Sequence, residues 1–300
     1  MSKVKFTYYP GCSSMESGKH LDMSVRAISG RLDIELETID DWNCCGASVA
    51  HVKCGPLATS ALSGRNLAKA RQQGTADVIS PCAACYLNTH GVNESIRDNP
   101  KTREEINEAL SVAGLSYEGD LHVRHVCEVL VNHVGNERIK HEVTNPLNGL
   151  KVAGWVGCQT VRPFAGTERG GNFDTYHDPK FLDNFHEACG AEVLPFEPKT
   201  ACCGGSVSVY SPDKTLGLMA KILQAAEDVK ADVISTPCPL CQVNVEMYQD
   251  RINKEFGTNF NIPVVFYSQI MAVAFGMDVK EAALDKHMIT PTKLIEKVKK

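Results

Sequence analysis

The sequence lacks the motifs that would identify a nucleotide-dependent enzyme or a nucleic-acid-binding protein. No GxGxxG loop follows a strand-like segment, and no CxxCxxCxxxCP run of the bacterial ferredoxin type is present. No run of Lys and Arg lies near interleaved aromatics, and the net charge is −5. Binding of a nucleotide or of a nucleic acid is therefore not expected.

Signals for export and for membrane insertion are also lacking. The first residues, MSKVKFTYYPGC, pass directly into a strand-like alternation without an apolar segment, so we expect no secretory signal and a cytoplasmic protein. The longest stretch without a charged residue runs from Phe256 to Met277 and contains Asn, Thr, Gln, Ser and Pro. A buried strand followed by a buried helix explains it better than a transmembrane segment.

Cysteine, in contrast, is abundant. The 300 residues include 13 Cys, an odd number that full pairing cannot accommodate. Because the cytosol keeps thiols reduced, structural disulfides are not expected there. Metal binding or redox chemistry is the leading interpretation.

The chain is an internal duplication. The segment 76–85, ADVISPCAAC, returns as 231–241, ADVISTPCPLC, with one inserted Thr. Two further motifs recur in the same order, Gly-Cys at 11–12 and 157–158, and Cys-Cys-Gly at 44–46 and 202–204. The breaker-rich segment 145–149 lies just before the second copy, so we place the repeats at residues 1–148 and 149–300.

Each copy has the pattern of an α/β unit. Short apolar runs alternate with helix-like segments such as 56–73 and 215–230. That order predicts βαβ units, and so two pseudo-symmetric repeats, each a small mostly parallel sheet with flanking helices. The cysteine motifs should then lie at strand ends and helix starts, where open α/β sheets place their ligands.

Ten of the cysteines form two sets of five. The first set consists of Cys12, Cys44, Cys45, Cys82 and Cys85, and the second of Cys158, Cys202, Cys203, Cys238 and Cys241. Structural zinc and an ordinary four-iron cubane each take four ligands, so one cysteine is left over in each set. Adjacent cysteines project in different directions and suit neighbouring irons. The count therefore favours an irregular multi-iron cluster.

Other interpretations of the cysteines stay open. The alternatives to an iron cluster are buried thiols without metal, zinc ligands of an interaction module, and a pair of CxxC motifs that exchange thiols and disulfides. Exchange would leave the Gly-Cys and Cys-Cys-Gly cysteines unexplained. The remaining three, Cys54, Cys127 and Cys189, have no counterpart in the other copy and are interpreted as structural.

The pattern Cx31CCx36CxxC followed by Cx43CCx34CxxC resembles the tandem CCG domain of the heterodisulfide reductase B subunit from methanogenic archaea. The resemblance covers essentially the whole chain. The CCG domain is shared with subunits related to glycolate and lactate oxidases and with some succinate dehydrogenase or thiol:fumarate reductase subunits. An electron-relay subunit of a hydroxy-acid oxidase or of a thiol:fumarate reductase is therefore the alternative to a heterodisulfide reductase.

The resemblance implies cofactors and partners. It implies two [4Fe-4S] clusters of noncubane type, one on each cysteine set, flanking the mixed disulfide of coenzyme M and coenzyme B, which is reduced to two thiols in methanogenesis. It also implies two heterodisulfide reductase partners, a ferredoxin-like C subunit and a flavin-containing A subunit, with a hydrogenase or formate dehydrogenase upstream. The second copy departs from the first by a Gly-rich insert at 166–173, which leaves the loop geometry there open.

Basic residues are the candidates for substrate binding. The coenzymes carry sulfonate, carboxylate and phosphate groups, and the sequence offers Arg162, Lys286 and His287 as anchors, each with a surface role as the alternative. His51 and His177 are candidate proton donors, with a structural role as the alternative.

Overall fold

Strands of the computed structural model, which describes residues 3–47, 54–162 and 173–299, form two separate parallel sheets. The first sheet has the order β2-β1-β3-β4 and the second the order β6-β5-β7-β8. The strands are β1 Val4–Tyr8, β2 Ile34–Thr38, β3 Asp77–Ser80, β4 His122–His125, β5 Lys151–Gly154, β6 Glu192–Val193, β7 Val233–Thr236 and β8 Val264–Phe266.

Helices connect the strands and cover the sheets. They are α1 Lys19–Arg31, α2 Gly55–Gln72, α3 Ala83–Asp98, α4 Pro100–Ser111, α5 Val126–Val129, α6 Asn136–Glu142, α7 Phe181–Ala188, α8 Val207–Tyr210, α9 Leu216–Asp228, α10 Pro239–Met247, α11 Gln249–Phe256, α12 Tyr267–Ala274 and α13 Thr292–Ile295. Short 3-10 turns lie at Cys12–Met15, Pro212–Lys214 and Leu284–Lys286, and a π-helical turn at Leu130–Val134.

The predicted α/β fold with two pseudo-symmetric repeats is confirmed. The helix-like segments 56–73 and 215–230 correspond to α2 and α9, and the charge-free stretch contains the buried elements β8 and α12. β7 is buried along its whole length, as expected of a parallel strand covered on both faces. None of the described helices is long and apolar enough to cross a membrane. The division of the chain after residue 148 stays a prediction.

The strand order explains why the cysteine motifs gather. In each sheet the chain goes from the first strand to the second on one side and then returns to place the third strand on the other side. The direction of the connections therefore reverses between β1 and β3, and between β5 and β7. Crevices at such switch points open beyond the carboxyl ends of the strands. Cys12 follows β1 and Cys82 follows β3, and Cys158 and Cys238 follow β5 and β7 in the same way.

A shared core joins the two repeats. Buried side chains of both sheets, such as Tyr8 and Val233, belong to one continuous apolar cluster. Helices α1 and α12 pack together there, and the hydroxyls of Ser24 and Ser268 lie 2.7 Å apart. The 3-10 turn that begins at Cys12 contacts α10 of the other repeat. The first cysteine set is thus held against a helix of the second repeat.

His186, on α7, is fully buried beside this core. Burial lowers the pKa of its imidazole to about 3. The unfolded chain therefore takes up a proton on this residue below its ordinary pKa of about 6.5, whereas the folded chain stays neutral.

We expect His186 to make the folded state less stable as the pH falls. Its contribution is fully present above pH 6.5 and decreases by about 1.4 kcal/mol per pH unit as the pH falls from 6.5 towards 3. The free energy of unfolding, measured in urea between pH 5 and 8, should fall less steeply on acidification in His186→Leu than in the original chain. Phe185→Leu serves as control and should leave the slope unchanged, because Phe185 is buried on the same helix and has no titratable group. Equal slopes in all three proteins would contradict the assignment.

Candidate functional site

Each cysteine set extends from a buried floor to an exposed rim. In the first set Cys45, Cys82 and Cys85 are buried, Cys44 is half-buried and Cys12 is exposed. The sulfur atoms of Cys12 and Cys44 lie 3.5 Å apart. The structure therefore brings together the five thiols that the sequence grouped.

The second set repeats this arrangement but differs in which cysteine is exposed and in which two sulfur atoms lie close together. Cys203, Cys238 and Cys241 form its floor, whereas Cys158 is half-buried and Cys202 is exposed. The close pair of sulfur atoms lies on the floor here, since Cys203 and Cys241 are 3.7 Å apart.

Helix starts position the two CxxC motifs. Cys82 is the N-cap residue of α3 and Cys238 that of α10, and both have extended backbone conformations. Each carbonyl accepts the first hydrogen bond of its helix, from Tyr86 and Gln242 respectively. The contact with the Cys85 thiol and the backbone amides at the start of α3 lower the pKa of Cys82, which favours thiolate, the form that binds metal.

The Cys-Cys-Gly motifs supply backbone donors to sulfur. The amide of Gly46 donates to the sulfur of Cys44 at 3.4 Å, and that of Gly204 donates to Cys202 at 3.3 Å. The hydrogen-bonded neighbour Cys12 lowers the pKa of Cys44 well below its ordinary value. The contact with Cys158, the Gly204 amide and the charge of Arg162 lower the pKa of Cys202 to about 6. The outermost Cys of both motifs is thus disposed to ionise.

Glycine is required before the first cysteine of each set. Gly11 has φ +77°, and a Cβ there would lie 2.6 Å from the sulfur of Cys85. Gly157 has φ +73°, and its Cβ would lie 3.1 Å from the sulfur of Cys241. The backbone of each Gly-Cys motif thus closes over a CxxC sulfur, an approach that a side chain would block.

Two cavities lie against the cysteine sets. The first cavity, about 310 Å³, is lined by all five thiols of the first set, with Glu16 also in its wall. The second cavity, about 50 Å³, is lined by all five thiols of the second set. Leu240 lines both cavities, so they are neighbours. The opposite wall of the first cavity comes from the second repeat and consists of Val209, Pro239, Leu240, Val243, Asn244 and Met247.

Both donor sets fit an iron–sulfur cluster. Thiolates are the ligands such clusters use, and each cavity has them converging from three loops. The first cavity has room for several atoms, whereas the thiols of the second must move apart to admit a cluster. Within the described ranges, no three His, Cys, Asp or Glu side chains are arranged around a single metal ion.

Lys199 anchors the loops of the second set, and no sequence motif indicated it. Its ammonium lies 2.5 Å from the carboxylate of Asp183 on α7 and 3.1 Å from that of Asp178. Its carbonyl accepts from the amide of Gly157 at 3.0 Å. The residue therefore ties the segment leading to Cys202 both to α7 and to the Gly-Cys loop.

The three predicted anchors lie in different places. Arg162 is exposed, lies close enough to Cys202 to affect its pKa, and donates to the carbonyl of Thr200 at 3.4 Å. Lys286 is on the surface in an ion pair with Asp285. The side chain of His287 is fully buried. None of the three lines either cavity in the described structure, and their role in substrate binding stays a prediction.

The other candidates also differ in position. His177 is exposed and its ring packs on Tyr176. His51 lies outside the described residues, as does the Gly-rich insert apart from Phe173. Cys127 and Cys189 are buried, in agreement with a structural role, but Cys54 is exposed at the start of α2. The structural interpretation of Cys54 was therefore wrong, because this position has no core to fill.

A known domain family matches both repeats of this chain. The cysteine-rich domain named CCG matches residues 6–89 and 152–246. These two ranges contain the first and the second cysteine set respectively. The family match is therefore a repeat of the same domain, in agreement with the internal duplication.

Curated relatives come from bacteria and archaea. The 8-methylmenaquinol:fumarate reductase membrane anchor subunit of Wolinella succinogenes is 33% identical over 97% of this chain and 99% of its own length. A protein of Archaeoglobus profundus named as like the heterodisulfide reductase B subunit is 30% identical over 93% of both chains. The B subunit of the ferredoxin/F420H2-dependent CoB-CoM heterodisulfide reductase of Methanosarcina acetivorans is 27% identical over 98% of this chain and 97% of its own.

The fold also occurs in a solved structure. It is a hypothetical protein from Helicobacter pylori, with a TM-score of 0.72, 18% identity and 95% of this chain covered. The present chain spans 52% of the length of the Helicobacter pylori chain. The likeness concerns the fold.

Replacing Gly11 by Ala should displace Cys85 and disrupt metal binding at the first set. Gly135 provides a matched control, since its backbone angles (φ 79°, ψ 154°) nearly equal those of Gly11 (φ 77°, ψ 159°). Nothing lies within 4 Å of a Cβ at Gly135. Both substitutions introduce backbone strain of about 1–3 kcal/mol. Only Gly11→Ala should lower the iron bound per chain after anaerobic reconstitution, and equal iron in both variants would contradict the assignment.

Asp183→Asn should destabilise the protein by about 3 kcal/mol, because it removes one partner of a buried charge. Asp178→Asn is the control, since Asp178 is half-exposed and its pair with Lys199 should contribute less than about 1 kcal/mol. Urea unfolding of the two variants measures the difference. Similar losses from both would show that the pair of Lys199 with Asp183 does not anchor the loop.

Proposed function

The chain belongs to the CCG cysteine-rich domain family, and on that premise we propose that it is the catalytic subunit of a heterodisulfide reductase. In this function it reduces the disulfide of coenzyme M and coenzyme B to two thiols. The protein is an oxidoreductase subunit with iron–sulfur clusters as cofactors. Relatives of nearly equal length carry the heterodisulfide reductase name.

The observation that carries the proposal is the pair of neighbouring cavities, each lined by five thiols. Among the described residues, Leu240 alone is common to both walls, so a molecule in the first cavity lies close to both cysteine sets. The first cavity is the larger of the two, at about 310 Å³ against about 50 Å³. Its buried thiols and apolar wall exclude water from the place where a disulfide would bind.

The two sets would each hold one [4Fe-4S] cluster, of noncubane type because each set has a fifth thiol. Such clusters supply single electrons, and two of them match the two electrons that a disulfide requires. The chain's own contribution is to hold the thiols at the strand ends and to keep the outer Cys of each Cys-Cys-Gly motif ionised. The neighbours Cys12 and Cys158 contribute most to this second task, and the Gly46 and Gly204 amides add to it.

Electrons should come from partner proteins of a larger complex. The sequence has no nucleotide loop and no ferredoxin motif of its own. The relatives are named as subunits of larger complexes. We propose the ferredoxin-like C subunit and the flavin-containing A subunit of heterodisulfide reductase as the donors, with a hydrogenase or formate dehydrogenase upstream, and we expect the complex in the cytoplasm.

A second candidate function follows from the relative of Wolinella succinogenes. At 33% identity over almost the full length of both chains, that relative is named for an 8-methylmenaquinol:fumarate reductase. In this case the chain would relay electrons in a fumarate reductase complex and would bind no disulfide. The thiol sets and their clusters would be the same.

Removal of one ligand from each set should remove one cluster at a time. We expect about eight irons per chain in the original protein prepared without oxygen, since two four-iron clusters are proposed. Cys44→Ser and Cys202→Ser should each lose the iron of one set and keep that of the other. Cys54→Ser is the control, because Cys54 is exposed and lies outside both sets. A colourless protein that contains zinc and no iron would overturn the assignment.

Activity separates the two candidate functions. With a reduced viologen dye as donor, the purified protein with intact clusters should release thiols from the coenzyme heterodisulfide, and Cys44→Ser should not. A protein that leaves this disulfide intact, while its complex transfers electrons from a menaquinol analogue to fumarate, would favour the second function.

A further inference from the structure

Asn244 is a buried residue that contacts the second cysteine set and lines the cavity on the first. It lies on α10, three residues after Cys241, with 1% of its surface exposed. Its side chain lines the first cavity, and its amide nitrogen lies 3.3 Å from the sulfur of Cys203 in the second set. Asn244 thus lies in the wall of the cavity on the first set and donates to a sulfur of the second.

The orientation of the Asn244 amide is fixed by its other contacts. Its nitrogen also donates to the carbonyl of Gly205 at 2.9 Å, and its oxygen accepts from the hydroxyl of Ser208 at 2.7 Å. The Gly205 carbonyl can only accept, so its partner must be the amide nitrogen of Asn244. An amide flipped by 180° would place its oxygen there and lose this bond. One N–H of Asn244 is therefore directed at Gly205 and the other at Cys203.

The first repeat has the same residue with a different contact. Asn88 follows Cys85 by three residues, as Asn244 follows Cys241. Its amide donates to the backbone carbonyl of Cys45 at 3.1 Å rather than to a cysteine sulfur. The duplication therefore provides an internal comparison in which equivalent amides differ in whether they bond to a ligand sulfur.

We propose that Asn244 is a positioning residue that raises the reduction potential of the centre on the second set relative to the centre on the first. The proposal rests on the proposed function, because it needs a cluster on each set. A hydrogen bond to a ligand sulfur stabilises the more negative, reduced state of a cluster. The potential of the second centre is then higher than it would be without this donor. Because Asn244 lines the first cavity, its amide also lies next to the place proposed for the disulfide.

The test is a redox titration of both centres followed by electron paramagnetic resonance. Asn244→Leu, which removes the donor, should shift the second centre to a lower potential and leave the first unchanged. Signals are assigned by comparison with Cys44→Ser and Cys202→Ser, which each lack one centre. Asn88→Leu is the matched control and should produce no comparable shift in the first centre.

Two further variants keep the test informative if Asn244→Leu does not fold. Asn244→Asp keeps the oxygen that accepts from Ser208 and loses the donor, so it should also lower the potential of the second centre. Ser208→Ala removes the contact with the Asn244 oxygen, together with the contact between the Ser208 hydroxyl and the Gly205 carbonyl, and leaves the donor to Cys203 in place, so it should have a smaller effect. Metal–sulfur stretching frequencies from resonance Raman spectra should change in the Asn244 variants and not in Asn88→Leu.

Different failures have different meanings. An iron-loaded Asn244 variant with both potentials unchanged, or with both lowered equally, overturns the role of Asn244 and leaves the proposed function intact. An original protein with no cluster on the second set overturns the proposed function and this inference with it.

Discussion

The close approach of backbone to sulfur at the Gly-Cys motifs is the constraint on which both sites depend. A residue with a side chain at Gly11 would collide with the sulfur of Cys85, and Gly157 lies over Cys241 in the same way. Because the loop after the first strand closes directly over the CxxC motif, thiols separated by about 70 residues or more meet at one edge of the sheet. The reversed strand order brings those two loops side by side, and the Cys-Cys-Gly loop completes each set.

Duplication explains why the repeats resemble each other, and packing explains why their cavities differ. The first Gly-Cys turn packs on α10, where a Cβ at Gly18 would lie 2.9 Å from that of Pro239. The first set therefore faces a helix of the other repeat across its cavity. The second set has Leu240 at the position where the first has Ala84, and the longer side chain reduces the space beside its thiols. The two sites are thus chemically alike and sterically different.

Much of the fold and of the thiol sets could be predicted from the sequence, because both depend on local pattern. Strand and helix patterns repeat in register, and ten cysteines recur at matching positions. The remaining features depend on contacts between distant segments. Lys199 gave no signal because its partners Asp178 and Asp183 are not spaced as a motif with it. The burial of His287 follows from packing of the C-terminal segment. The exposure of Cys54 likewise depends on where α2 lies on the sheet.

The wall of the first cavity, rather than the cysteine sets, distinguishes the two candidate functions. The coenzyme disulfide carries anionic groups that need positive partners. Among the described residues lining this cavity, the ionisable side chain other than the thiols is Glu16, and the far wall is largely apolar. Arg162 lies beside the second set instead. A sulfur–sulfur bond fits this apolar wall only if its anionic arms extend beyond the cavity, whereas electron relay between the two sets needs no substrate in the cavity. The choice between the two functions therefore depends on groups outside the cavity floor that bind the anionic arms, and the cysteine motifs do not encode those groups.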